Sequence, residues 1–238
     1  MNLVYNRLYH ICGSALRNDM EAIIMTVIEA LAMRHSVRAF QSKPVEGDKL
    51  KAVFEAARRT PSWANSQPWE VFAATGETLA KIKSAYKENY TNSVRAMPET
   101  PRPEEWTEAA VERRTQLHPG MLRDCGEAAG QFGVLNQTMF DAPAVAYICM
   151  DKVLSQWSLY DIGAYAQSIM LAAAHYGLGT IPAITLTHFP EILHRELEIP
   201  DNLNVTIGIA IGYEDTQNKI NNFVSERDPV DSVVRFFD

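Results

Sequence analysis

The segment Leu159–Tyr176 constrains this chain more than any other. Read as a helix it is apolar on nearly every face, with Ile162, Ala166, Ile169, Met170 and Ala173 spread around it. A helix that is hydrophobic all round has no side to offer to water and must be buried. Gly177 follows as a natural left-handed stop. Two apolar runs read as strands. Pro143–Met150 is short and bounded by Pro and Asp, the pattern of a buried strand. Asn204–Tyr213 alternates Val205, Ile207, Ile209 and Ile211 with Thr206, Gly208 and Ala210, which predicts a strand with a helix packed closely over its small-residue face.

Around these lie further elements. Ile24, Val27, Ile28 and Leu31 share the spacing of one helix face, as do Leu50, Val53, Phe54 and Ala57. Asp48 is the expected N-cap of the second helix, and Pro61 ends it near Thr60. Trp69–Thr75 predicts a strand with a turn at Gly76. Residues 79–118 are polar, with Pro98, Pro101 and Pro103 in the middle, and predict helix, loop and helix on the surface. Helices and strands mix without regular alternation, so the fold class is α+β with helices packed on a sheet.

The 238 residues fit one large domain or two small ones. Residues 1–19 show no clear period and read as an extension. A formal net charge of -7 argues against a general nucleic-acid binder but leaves room for a local basic site. No apolar stretch approaches the ~20 residues needed to span a bilayer. Met1–Asn6 lacks a basic region followed by a long apolar core, so no signal peptide is expected. Cys12, Cys125 and Cys149 form no CxxC pair, and the six histidines include no HExxH. The expectation is a soluble cytoplasmic protein with no metal site, no membrane contact and no disulfide framework.

Two segments carry the candidate chemistry. In Arg34-His35-Ser36-Val37-Arg38 an extended backbone projects Arg34, Ser36 and Arg38 to one side, where they could grip a phosphate or an electron-rich carbonyl edge. The alternative is a solvated basic patch beside a helix end. In Pro61-Ser62-Trp63-Ala64-Asn65-Ser66-Gln67-Pro68-Trp69 the prolines fix a backbone that carries four hydrogen-bonding side chains, which suits a polar planar ligand. An aromatic-rich helix–strand turn would read the same way.

Together, RHSVR and PSWANSQPW resemble the FMN-dependent nitroreductase family. The later segments Tyr176–Gly179, Thr180–Ile184, Ile211–Tyr213 and Arg227 follow its order. The resemblance covers roughly residues 25–238 and implies a nitroreductase-like fold in residues 20–238: a mainly antiparallel sheet covered by helices, in an intertwined homodimer with FMN at the interface. It implies Arg34, His35, Ser36 and Arg38 at the FMN phosphate, ribityl chain and pyrimidine edge. Pro61, Ser62 and Asn65 would line the ring and its polar rim. Pro182, Ala183 and Ile184 would run along its other side, with a backbone N–H toward N5, and Arg227 would complete the phosphate site. The arm 228–238 would embrace the partner. Two departures stand out: Arg38 replaces a common Lys, and Glu226 precedes Arg227 where a second cation is common.

The implied activity is ping-pong reduction of nitroaromatic, quinone or similar electron-poor acceptors, with NADH or NADPH as reductant. Arg38 would act as an electrostatic stabiliser, and no side chain would act as nucleophile or general acid–base. Rival readings are an enone or flavin reductase, a reductive dehalogenase, a non-catalytic flavin-binding protein and a phosphate-ligand module. Gly177-Leu178-Gly179 is not a dinucleotide fingerprint, because Pro182 stands where the third glycine belongs. His188 and His194 read as surface groups. Phe132, Met139 and Phe140 suit either a pocket wall or the core.

Overall fold

A computed structural model of the chain describes residues 25–237. The expected extension 1–19 and Ile24 lie outside them. The elements in order are α1 (Val27–Met33), α2 (Gly47–Ala57), β1 (Glu70–Thr75), α3 (Gly76–Thr91), α4 (Glu108–Thr115), α5 (Leu117–Cys125) and α6 (Phe132–Gln137). They continue with β2 (Ala144–Asp151), α7 (Trp157–His175), β3 (Gly179–Ala183), α8 (Pro190–Leu197), β4 (Leu203–Gly212) and the short α9 (Val230–Val233). The strands form one sheet in the order β1-β2-β4-β3, every pair antiparallel. The α+β expectation holds.

β2 is central because both of its faces are apolar. Val145, Tyr147 and Cys149 meet Leu79, Ile82 and Tyr86 of α3 on one side. Ala144, Ala146 and Ile148 meet α2 and α7 on the other, where Leu50, Val53, Ile162, Ile169 and Ala173 are buried. A bulge opposite Ile148 and Cys149 skips Thr206, so Val205 faces the α3 layer while Ile209 and Ile211 face α7. Gly177 ends α7 at φ +70°, as a left-handed stop requires.

Several local expectations are corrected. The small-residue face of β4 is approached most closely by the 3-10 turn Ile184–Thr187, not by a helix. A Cβ on Gly208 would lie 2.5 Å from Leu186 Cβ. The first helix of the 79–118 stretch is no surface element, since Leu79, Ile82 and Tyr86 are buried under the sheet. Gly76, at φ +53°, makes the expected turn, and it leads straight into that helix. Glu46, not Asp48, precedes α2, and no side chain caps it. Of the two readings given for Met139 and Phe140, the core is the one found: both are fully buried. The apolar face of α1 lies open: Val27, Ile28 and Leu31 are exposed, and Thr26 and Glu29 close the helix start with a reciprocal capping box. No helix among the described residues is long and apolar enough to cross a membrane.

Candidate functional site

The segment Arg34–Phe40 runs as an irregular strip along the free edge of the sheet. Ser36 bridges Thr180 of β3 in parallel, and Val37 N–H donates to the Thr180 carbonyl at 3.0 Å. Gly179 permits this approach, because a Cβ there would sit 2.6 Å from Val37 Cγ2. On the far side Asp215 N–H donates to Ala39 O at 3.1 Å. Asn221 brackets the strip with its whole amide. Its Oδ1 accepts from the N–H groups of Arg38 (2.7 Å) and Ala39 (3.1 Å), and its Nδ2 donates to the carbonyls of Ala39 (2.8 Å) and Asp215 (3.0 Å). Strip and β3 thus stand side by side, with Pro182, Ala183 and Ile184 half-buried at its far end.

Within the strip, Arg34 caps α1 and is half-buried. His35 sets Nδ1 3.0 Å from Met33 O and Nε2 3.3 Å from a Glu214 carboxylate oxygen. Arg38 is 7% exposed. Its Nη1 donates to the Ser36 and Phe223 carbonyls at 2.9 and 3.2 Å, and its guanidinium carbon sits 5.0 Å from the Phe223 ring centroid. Arg38 Nε is buried with no hydrogen-bond partner among the described residues. Burial lowers the Arg38 pKa, although a guanidinium stays charged at any working pH.

The second segment is a turn packed on α7. Trp63 N–H donates to an Asp161 carboxylate oxygen at 3.1 Å, and Thr60 Oγ1 meets Ser168 Oγ at 2.7 Å. The Trp69 ring stacks on Tyr165 with centroids 4.4 Å apart. Ser62 Oγ accepts from Gln67 N–H at 2.9 Å, and Gln67 Nε2 donates to Asn65 Oδ1 at 3.2 Å. Ala64, Asn65 and Gln67 all hold positive φ, which non-glycine residues adopt only where the surroundings impose it. Every hydrogen bond of this turn among the described residues goes to itself, to α2 or to α7, and none reaches the strip.

Arg227 lies in the chain that returns past α4 and α5, exposed, with Nη1 on Ser225 O (2.9 Å), Ser225 Oγ (2.7 Å) and Glu226 O (3.0 Å). It lines a cavity of about 1100 Å³ with Arg113, Leu117 and Phe223, and Phe223 is the ring that carries Arg38. Elsewhere His188 is buried, against expectation. Its Nε2 faces Arg102 Nη2 at 2.6 Å and its Nδ1 faces Tyr90 OH at 2.9 Å; burial first and Arg102 second hold its pKa down. No group of three or more His, Cys, Asp or Glu among the described residues could hold a metal.

Sequence reasoning missed Asn221 and Asp161. Asp161 carried a signal, being the one carboxylate in α7. Asn221 carried none, because a bracketing Asn and a loop Asn look alike.

An antiparallel sheet clad on both faces by helices, with a basic strip along its free edge, defines the chain as an α+β protein. Residues 31–213 match the model of the nitroreductase family, and the chain belongs to that family. It is 30% identical over 216 residues to a 4-nitrobenzoate reductase of Nocardioides sp. (strain LMS-CY), across 85% of this chain and 86% of that one. Among solved structures it resembles the FMN and NADPH-dependent nitroreductase NfnB from Sphigopyxis sp. strain HMH, with a TM-score of 0.83 and 28% identity over 90% of this chain and 99% of that one. It also resembles the FMN-dependent NfnB from Mycobacterium smegmatis solved with NADPH, with a TM-score of 0.81 and 26% identity over 89% and 97% of the two chains.

Proposed function

We propose that this chain is an FMN-dependent oxidoreductase that uses NADH or NADPH to reduce nitroaromatic and related electron-poor acceptors. The observation that carries the reading is Arg38, a buried guanidinium with an unpartnered Nε on the strip beside β3. A fixed cation with a buried donor that no described residue satisfies suits an electron-rich carbonyl edge, and FMN presents one. The family membership and the FMN-dependent relatives support it.

The donor set fits that cofactor. Arg34, His35 and Ser36 would hold its phosphate and ribityl chain, with Arg227 completing the phosphate site. Ser62 and Asn65 would meet its polar rim, Pro61 would pack on the ring, and the backbone of Pro182, Ala183 and Ile184 would lie along the opposite side. When bound, the flavin supplies two-electron transfer between a nicotinamide and the acceptor. Arg38 would stabilise negative charge at the carbonyl edge of a bound flavin, since its guanidinium is already fixed in place. Pro68 and the packed Trp69 keep the turn rigid, so little entropy is lost on binding.

The functional unit we propose is a homodimer with the cofactor at its interface and the arm 228–238 on the partner. Exposed apolar side chains support it: Ile28 on α1 is 74% exposed, Tyr160 on α7 79% and Phe237 on the arm 89%. A hydrophobic surface of this kind marks an interaction site. The acceptor is a small nitroaromatic, stacked on the ring. We place the enzyme in the cytoplasm, in keeping with the two buried free thiols, Cys125 and Cys149. The test is optical. Purified protein loaded with FMN is treated anaerobically with NADPH and then with 4-nitrobenzoate. Bleaching followed by recovery of the yellow band is expected; protein that cannot be loaded with FMN overturns the reading.

A further inference from the structure

The turn 61–69 is strained: bonds from Asn65 N–H to Ser62 O, Ser66 N–H to Trp63 O and Gln67 N–H to Ser62 Oγ close its tip on itself, and contacts with α7 fix where that tip sits. Three of its nine residues, Ala64, Asn65 and Gln67, sit in the left-handed region. Non-glycine residues stay there only when neighbours over-determine the backbone. Two ties of the turn fall on Asp161 and Tyr165 of α7, and a third, from Thr60 just before it, falls on Ser168. Those positions are i, i+4 and i+7, one stripe on one face of the helix. Tyr165 and Ser168 fix the ends of the segment, at Trp69 and Thr60. Asp161 alone reaches the polar tip.

Asp161 is an unusual residue to find there. It is 2% exposed, in a helix otherwise free of charged residues except for the terminal His175, and no cation among the described residues pairs with it. A buried carboxylate without a partner is costly, and sequences keep one only where a specific contact repays it. The contact seen is the charge-assisted bond from Trp63 N–H, at the residue between Ser62 and the left-handed Ala64 and Asn65. Such a bond is stronger than a neutral one and fixes the peptide plane it grips.

We propose that Asp161 is the positioning residue of the ligand turn: its carboxylate holds Trp63 N–H and thereby sets Ser62 and Asn65 toward the flavin. The proposal rests on the flavin reading for what the turn meets, but not for how the turn is held. Asp161 touches neither flavin nor acceptor. It acts through one backbone amide.

Two variants separate its charge from its acceptor oxygen. Asp161→Asn keeps an oxygen that can accept from Trp63 N–H, and Asp161→Ala removes it. Amide hydrogen exchange of residues 61–69 is measured on the full chain without cofactor, beside FMN affinity by quenching of flavin fluorescence. Asp161→Ala is expected to speed exchange across 62–67 and to weaken FMN binding about tenfold, while Asp161→Asn stays within about threefold of the parent. Exchange at the 61–69 turn left unchanged by Asp161→Ala overturns the proposal. So does faster exchange with undiminished FMN affinity, or an Asn variant as impaired as the Ala variant. If the parent chain itself binds no FMN, the flavin reading fails instead, and the exchange comparison alone decides whether Asp161 holds the turn.

Discussion

The two halves of the candidate site are held in place by different means. The strip Arg34–Phe40 is fixed mostly through backbone: bridges to Thr180 and Glu214, a bond from Asp215, and the single bracket of Asn221. The turn 61–69 is fixed through side chains of one helix stripe. A strip held by peptide groups keeps its path when most of its own side chains change, so its residues are free to specialise for a ligand. A strained turn held by side chains depends on residues far away in sequence. The strip should therefore fail through its ligand contacts, and the turn through its anchors.

The largest expected effect lies in the strip's chemistry. Arg38→Met removes the buried cation while keeping much of the volume, and kcat/KM for 4-nitrobenzoate should fall about 100-fold or more, as for loss of a fixed donor at a developing charge. Steady-state kinetics with the FMN-loaded protein check it. An unchanged rate would put Arg38 among merely structural residues.

A smaller effect should follow from wedging the strip off the sheet. In Gly179→Ala the new Cβ would land 2.6 Å from Val37 Cγ2, and Val37 is 1% exposed with little room to move. Overpacking of this kind costs about 1–3 kcal/mol, or several degrees in Tm for a chain of this size. Thermal melts should show the drop, with FMN affinity falling alongside it.

On the turn, Ser62→Ala leaves Gln67 N–H without its acceptor. The loss is about 0.5–1.5 kcal/mol, which predicts FMN binding weaker by about threefold to tenfold and little change in Tm. Fluorescence titration reads it directly.

The smallest effect should fall outside both halves. His188 binds its proton less readily when folded than when unfolded, because burial and Arg102 disfavour the cation. Its contribution to stability is therefore complete above the unfolded value near ~6.5 and is lost as pH falls below it. The Tm should decline between pH 7 and pH 5, and His188→Gln should flatten that decline. FMN affinity at pH 7 should be the same for both, since His188 belongs to the Tyr90–Arg102 contact and to neither half of the site.

Much of this architecture was legible because it lies in continuous apolar signals. β2 is buried on both faces and cannot be read otherwise, whereas α7, apolar all round in sequence, buries one side and leaves Trp157 and Tyr160 exposed. The family motifs marked strip and turn as unusual, and the family match bears out the resemblance they carry. Other features were hidden for physical reasons. The buried stripe of α3, Leu79, Ile82 and Tyr86, is diluted by Lys81, Lys83 and Lys87, so the helix read as a surface element. The partner of Gly208 is Leu186, in a 3-10 turn that no local pattern announces. The exposed face of α1 looks in sequence like any core-facing stripe, because periodicity reports that a face is apolar and not what covers it. The Asn221 side chain makes most of its bonds to the strip, far away in sequence.

The central claim is that strip and turn serve one flavin. Its most direct test is a crystal structure of the FMN-loaded protein. The account predicts one FMN with Arg34, Ser36 and Arg38 from one subunit, and Ser62 and Asn65 from the same or the second subunit, all within hydrogen-bond distance. An FMN that met the strip while every copy of the turn stayed out of its reach would contradict it.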